Sequence, residues 1–342
     1  MNVWDVFYFS CNAILPIVLL VVLGYFLKRL KVFDDAFLNK ANSIVFKIFL
    51  PFLLFSNIAF IEKDTFASIN WSLLIYSVLA IIALFIIGLV IVIFFVKNDK
   101  QKGVVLSCVF RSNYAIIGIP LCEFLAVNMN ASDKAVAVGL ATLMAAVSVP
   151  LFNTLAVVSL SVFDKSAGNK IEVKKILKKI ITNPLIIGVF TGLVALGLRM
   201  LLLDAGLPLT KDVISSNFLY KAIKNVASIA SPLALVVLGG RFKFSSVKAL
   251  APQITLGTIL RLVFVPAICL TFAYIFGFRE LEFPTLVALF ATPVAVSSAP
   301  MASEMKQDGE LADQFVVWTS LLSIVSLFAV IMICSSIGLF VI

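Results

Sequence analysis

The stretch WSLLIYSVLAIIALFIIGLVIVIFFV, residues 71–96, contains no charged side chain. As a helix it would extend about 39 Å, enough to cross the ~30 Å hydrocarbon core of a bilayer. Comparable apolar runs recur along the 342 residues, separated by short polar breaks such as KNDKQKG and KQDGELAD. With 62% hydrophobic and 13% charged residues, a chain of this size reads as a polytopic, all-α membrane protein. Ten spans are expected, at about 11–29, 36–60, 71–96, 103–128, 133–162, 183–203, 217–240, 250–276, 283–305 and 312–341. The second is the weakest, because Asn39, Asn42 and Lys47 interrupt its first half. Lys47 lies close enough to that end to snorkel.

The N-terminal MNVWDVFYFSCNAILPIVLL has no basic residue before its apolar core and no small-residue cleavage site, so it reads as a retained first span. Loop charges give an orientation. The odd-numbered connections hold seventeen Lys and Arg and the even-numbered ones six. The positive-inside bias then places the odd loops in the cytoplasm and both termini outside. The net charge of +9 is thereby a membrane-orientation signal and calls for no nucleic-acid partner. The basic segment DKSAGNKIEVKKILKKI reads as an orientation-setting linker, with an amphipathic surface helix as the competing reading.

That linker lies midway and frames an internal repeat. Phe110 and Pro120 in span 4 recur as Phe290 and Pro300 in span 9, 180 positions on. Pro51 in LPFLLF recurs as Pro232 in SPLALV, and Asn12–Pro16 corresponds to Asn183–Pro184. Residues 1–163 and 183–342 thus read as two copies joined by 164–182. Each copy has an odd number of spans, so the second enters from the opposite side. Such inverted repeats mark secondary transporters.

Within span 4, RSNYAIIGIPLCE places Arg111, Asn113, Gly118, Pro120 and Glu123 where a lipid-facing helix avoids them. Proline removes a backbone donor and Gly118 relaxes the backbone, so a helix break between Asn113 and Pro120 is expected. Span 9 repeats the problem with Pro293, Ser297, Ser298 and Pro300. Freed backbone groups must face protein or a polar cavity. If the two breaks cross, half-helix ends converge, and their N-termini favour an anion. Asn113, Tyr114, Ser297 and Ser298 would add directional hydrogen bonds.

Arg111 reads as an anion attractor or a cap on the broken helix, with snorkelling as the competitor. Arg261, near the middle of span 8, calls for an internal partner. Glu123 and Glu304 read first as boundary carboxylates and otherwise as gating or proton-coupling groups. Asn153 reads as a helix–helix hydrogen bond before a ligand contact. Ser320, Ser323 and Ser326 form a close-packing stripe. The five scattered cysteines read as small buried hydrophobes, and the absence of histidine removes His-based metal sites and the usual catalytic triads. No enzyme activity and no cofactor or metal is expected; Na+ and H+ both stay open as coupling ions. A membrane sensor or channel is the rival class, against which the inverted repeat weighs.

NYAIIGIPL at 113–121, LPFLLF at 50–55, PLFNTLAV at 150–157 and ATPVAVSSAPMASEM at 291–305 resemble the auxin efflux carrier family of the bile acid/auxin/arsenite transporter superfamily, and within it the bacterial permeases for malate or malonate. The resemblance implies crossed, broken spans 4 and 9, as in sodium/proton antiporters and bile-acid symporters. It further implies a scaffold of spans 1, 2, 6 and 7, a transport body of spans 3–5 and 8–10, elevator motion and a homodimer through the scaffold. Carried over by motif, the substrate cradle would be Asn113, Gly118, Ile119 and Pro120 with Pro293, Val294, Ser297, Ser298 and Pro300. The central loop is far shorter than in plant members, span 3 offers no proton-linked acid, and TPVAVSSAP lacks threonine after its first proline. The resulting expectation is a carrier of a small organic anion, with a sodium-coupled symporter as its nearest rival.

Overall fold

The computed structural model describes residues 3–60, 70–126, 129, 131–163, 178, 181–207 and 216–339. The basic linker therefore lies almost entirely outside the described residues, and so does the question of its amphipathic helix. The described chain is helical: α1 (Val3–Arg29), α2 (Asp35–Ala59), α3 (Trp71–Phe95), α4 (Asp99–Phe110), α5 (Tyr114–Leu125), α6 (Ala131–Val162), α7 (Pro184–Asp204), α8 (Phe218–Arg241), α9 (Ser245–Ile275), α10 (Phe283–Ala291), α11 (Ser298–Glu304) and α12 (Gly309–Ser336). Seven of these, α2, α3, α6, α7, α8, α9 and α12, are long and apolar enough to cross a membrane.

Helix starts follow side-chain chemistry. Asp34, Asn70, Asn98, Asn183, Asn217 and Asp308 each accept a backbone N–H of the first turn of the helix that follows, satisfying donors left without a partner inside the helix. The doubtful span 2 is one continuous run, and Asn42 is buried within it.

Three helices contain a π-helical turn, Val45–Phe49, Tyr114–Gly118 and Leu260–Phe264, each ending two residues before a proline, Pro51, Pro120 and Pro266. A proline lacks the N–H and crowds the carbonyl four residues back. Widening the preceding turn relieves both conflicts without ending the helix. Pro120 therefore sits in the first turn of a regular segment, Ile119–Leu125, where a missing donor costs nothing. The break, expected between Asn113 and Pro120, lies at 111–113, at the N-terminal edge of that stretch, and its cause is tertiary pairing, described below.

α3 shows how the fold meets lipid. Leu73, Ser77, Ile81, Leu84, Gly88 and Val92 face inward at helical spacing, while Ile75, Leu79, Ile86, Ile93 and Phe94 are exposed. Both faces are apolar, so small inward residues and close approach must supply the packing. The tightest approach joins α1 and α8. A Cβ on Gly24 would lie 1.9 Å from the Val236 carbonyl oxygen, and one on Gly239 the same distance from that of Val21. Gly239→Val should therefore separate α1 from α8, at a cost at or above the ~1–3 kcal/mol of ordinary overpacking. Thermal unfolding in detergent will show a lowered midpoint, whereas Gly197→Val, with nothing within 4 Å, will leave it unchanged.

α2 packs against α7 and α8, and α8 against α1. α3, α4 and α6 form a second group, which α9 to α12 join around the crossing of the two unwound segments.

Candidate functional site

Pro293 biases Thr292 toward extended backbone, observed at φ −73° and ψ 153°, and this ends α10. Across from it Arg111 is also extended, at φ −89° and ψ 113°. Ser112 and Val294 form an antiparallel bridge, and the Asn113 N–H donates to the Pro293 carbonyl at 2.8 Å. Val294 N–H donates to Thr319 Oγ1 at 3.2 Å. The crossing thus exchanges helical hydrogen bonds for pairing between its two strands, as buried backbone requires.

Two arginines, 1% and 0% exposed, hold the crossing from different sides. Arg261 Nε donates to Thr292 O at 2.8 Å, Nη1 to Val109 O at 3.2 Å and Nη2 to Leu289 O at 3.3 Å. These are the carbonyls that α4 and α10 leave open at their C-terminal ends, where a cation is also favoured by the helix dipole. The internal partner expected for Arg261 is backbone.

Arg111 Nη2 donates to Asn153 Oδ1 and Ser297 Oγ, both at 2.7 Å, and Nη1 contacts Met301 Sδ at 3.2 Å. Its burial removes the snorkelling reading. Asn153 can accept this bond because its own amide donates to Val149 O at 2.8 Å, which fixes the side chain on α6. Among the described residues neither arginine has a carboxylate partner. A buried, uncompensated charge is costly, and an anion beside it relieves that cost.

A cavity of about 50 Å³ lies against this arrangement, with Arg111, Asn113, Asn153 and Ser297 on one wall and Asn57 and Ser231 on another. Asn113 Nδ2 is buried and, among the described residues, has no hydrogen-bond partner. Tyr114, Ala115 and Ile116 also line it; they open α5, where first-turn amides lack a carbonyl inside the helix. The cavity holds about three to five waters at ~10–15 Å³ each, so a dicarboxylate requires its walls to part.

Of the residues expected from sequence to bind substrate, Asn113, Tyr114 and Ser297 line this cavity. The Tyr114 hydroxyl donates to Ala141 O at 3.0 Å and so braces α5 on α6. Gly118 is helical at φ −66°; its role is close approach, because a Cβ would meet Tyr114 at 2.7 Å and the Ala288 carbonyl oxygen at 3.1 Å. Ile119 and Pro120 lie beyond it, Pro120 exposed, while Pro293 and Pro300 shape their segments from outside the cavity. Val294 and Ser298 face a separate gap of about 10 Å³ with Ser107. Glu123 is exposed. Glu304 accepts from Ser43 Oγ at 3.4 Å and pairs with Lys47 at 3.7 Å, away from the crossing.

Asn57 and Ser231 escaped the sequence reading. Their signal was present: each is a polar residue in an apolar run beside the repeat landmarks LPFLLF and SPLALV.

No curated protein matches the chain. The family model described as "Membrane transport protein" matches residues 9–331, nearly the whole length. The chain, multi-pass and helical, belongs to this family of membrane transporters, the auxin efflux carrier family.

Proposed function

We propose that the protein is a secondary carrier that moves a small organic anion across the cytoplasmic membrane by alternating access, with dicarboxylates such as malate or malonate ranked first. The observation that carries this reading is Arg111: buried, without a carboxylate partner among the described residues, and lining a cavity beside the Asn113 amide, which among those residues is also unpartnered. A dianion in that cavity would supply the missing counter-charge, and its second carboxylate would meet the first amides of α5.

Ten spans in two inverted five-helix repeats, with both termini outside, complete the reading. The α4–α5 and α10–α11 breaks are the matching elements of the two copies. The cavity lies between the α2, α7 and α8 side chains Leu54, Leu185 and Ala234 and the crossing itself. That position suits an elevator, in which α1, α2, α7 and α8 form a dimeric scaffold and the remaining helices slide past it. α11 is tied to the scaffold through Glu304 to Lys47 and Ser43, and through Arg241 Nη2 to Ser303 Oγ at 2.5 Å. Sliding would have to break these contacts.

One observation favours Na+ coupling as a second reading. Ser107 Oγ and Ser298 Oγ are buried, without partners among the described residues, around the 10 Å³ gap behind the crossing, room for one water or one small cation. Reconstituted vesicles loaded against labelled malate, malonate, citrate and indole-acetate test both readings, with Na+ and pH gradients imposed separately. Uptake of a dicarboxylate is expected; no movement of any carboxylate under any gradient contradicts the carrier. Stimulation by Na+ that Ser298→Ala abolishes supports the sodium reading, and uptake indifferent to Na+ removes it.

A further inference from the structure

Two clefts beside α1 adjoin. The first, about 310 Å³, runs between α1 and α12, walled by Ile17, Val21, Val22, Val317 and Leu321 and, among the described residues, almost wholly apolar. The second, about 470 Å³, lies at the end of α1 and contains Lys28, Arg29, Arg241 and Lys243. Tyr25, Phe242 and Phe244 line both, so the apolar cleft borders the basic one.

The basic cleft also holds three carboxylates. Lys28 pairs with Asp35 at 2.8 Å, Arg241 with Asp313 at 3.7 Å and Lys243 with Glu310 at 3.4 Å. Arg29 has no carboxylate among the described residues; it lies 5.2 Å over the Tyr25 ring and donates to its hydroxyl at 3.0 Å. One cation is therefore in excess. Asp35 is 89% exposed, so its pair with Lys28 holds little energy against an incoming phosphate. Tyr25 and Phe244, edge to face at 5.5 Å, stand at the junction, as aromatics do where a bilayer's apolar and polar layers meet.

We infer that this double cleft binds one anionic phospholipid, its acyl chain between α1 and α12 and its phosphate among Arg29, Lys28 and Lys243. Adjacency selects the occupant. A free phosphate would use only the basic cleft and a neutral lipid only the apolar one, whereas an anionic amphiphile fills both. Basic pockets between membrane helices are suited to such headgroups. The site is separate from the anion cavity and does not depend on which solute is carried.

Native mass spectrometry of the purified full chain, exchanged with phosphatidylglycerol and phosphatidylcholine of identical acyl chains, tests it. The wild type should retain phosphatidylglycerol over phosphatidylcholine by roughly tenfold or more. The double substitution Arg29→Gln with Lys243→Gln, both at exposed positions, should bring the two lipids to parity. Val22→Trp, at a 41% exposed position, should fill the apolar cleft and lower phosphatidylglycerol retention with every cation in place. Melting curves check that both variants fold. Equal retention in the wild type, or an unchanged preference in both variants, overturns the inference. So does displacement by inorganic phosphate, which would mark a free-anion site, or loss of dimers by Val22→Trp at unchanged lipid retention, which would assign the cleft to a second copy.

Discussion

Arg261→Gln is expected to cost on the order of 3–5 kcal/mol and to dismantle the crossing before it affects any ligand. Three buried carbonyls, those of Val109, Leu289 and Thr292, lose a charged donor at once. Glutamine can reach one of them at most. Arg261→Lys keeps the charge but replaces the planar fork by a point donor, so its loss will be intermediate. The check is thermal unfolding of the purified variants in detergent, with the order wild type, Lys, Gln. A Gln variant as stable as the wild type would show that the helix ends find other partners.

The second large effect concerns affinity. Arg111→Gln should weaken dicarboxylate binding by about 2–3 kcal/mol, roughly 30- to 150-fold in Kd, because it removes the sole charge that the described residues place in the cavity wall. It also costs stability through the lost bonds to Asn153 and Ser297, so it does not by itself separate binding from folding. Asn113→Ala does. Its Nδ2 has no protein partner, so deleting it removes a buried, unsatisfied donor and leaves stability equal or higher. If that atom meets the substrate, affinity nevertheless falls by about 1 kcal/mol, roughly fivefold. A weaker binder that melts no lower is the signature.

Membrane class and the anomaly of spans 4 and 9 were legible, because charged and amide side chains in an otherwise apolar run have few structural excuses. The site of unwinding was not. Pro120 looks like a breaker in sequence, yet a π turn ahead of it and its place in a first turn make it harmless. What ends α4 is the pairing of Ser112 with Val294, residues 182 positions apart, which no local rule predicts. Arg261 was legible as needing a partner, but its partners are carbonyls, and backbone acceptors leave no mark in side-chain identity. Ser297 and Ser298 show the finest limit. They are adjacent in sequence, yet one faces the cavity beside Arg111 and the other the gap beside Ser107. The second wall of the cavity, with Asn57 and Ser231, depended on knowing which helices pack across from the crossing.

The central claim is that a small organic anion sits against Arg111 and Asn113. Equilibrium binding of labelled malonate and malate to the purified protein tests it most directly, run on the wild type, Arg111→Gln and Asn113→Ala at matched folded fractions. The account predicts saturable binding of at least one of the two anions to the wild type, weakened in Asn113→Ala and weakened further in Arg111→Gln. Binding of neither anion, or equal affinity in all three proteins, would contradict it.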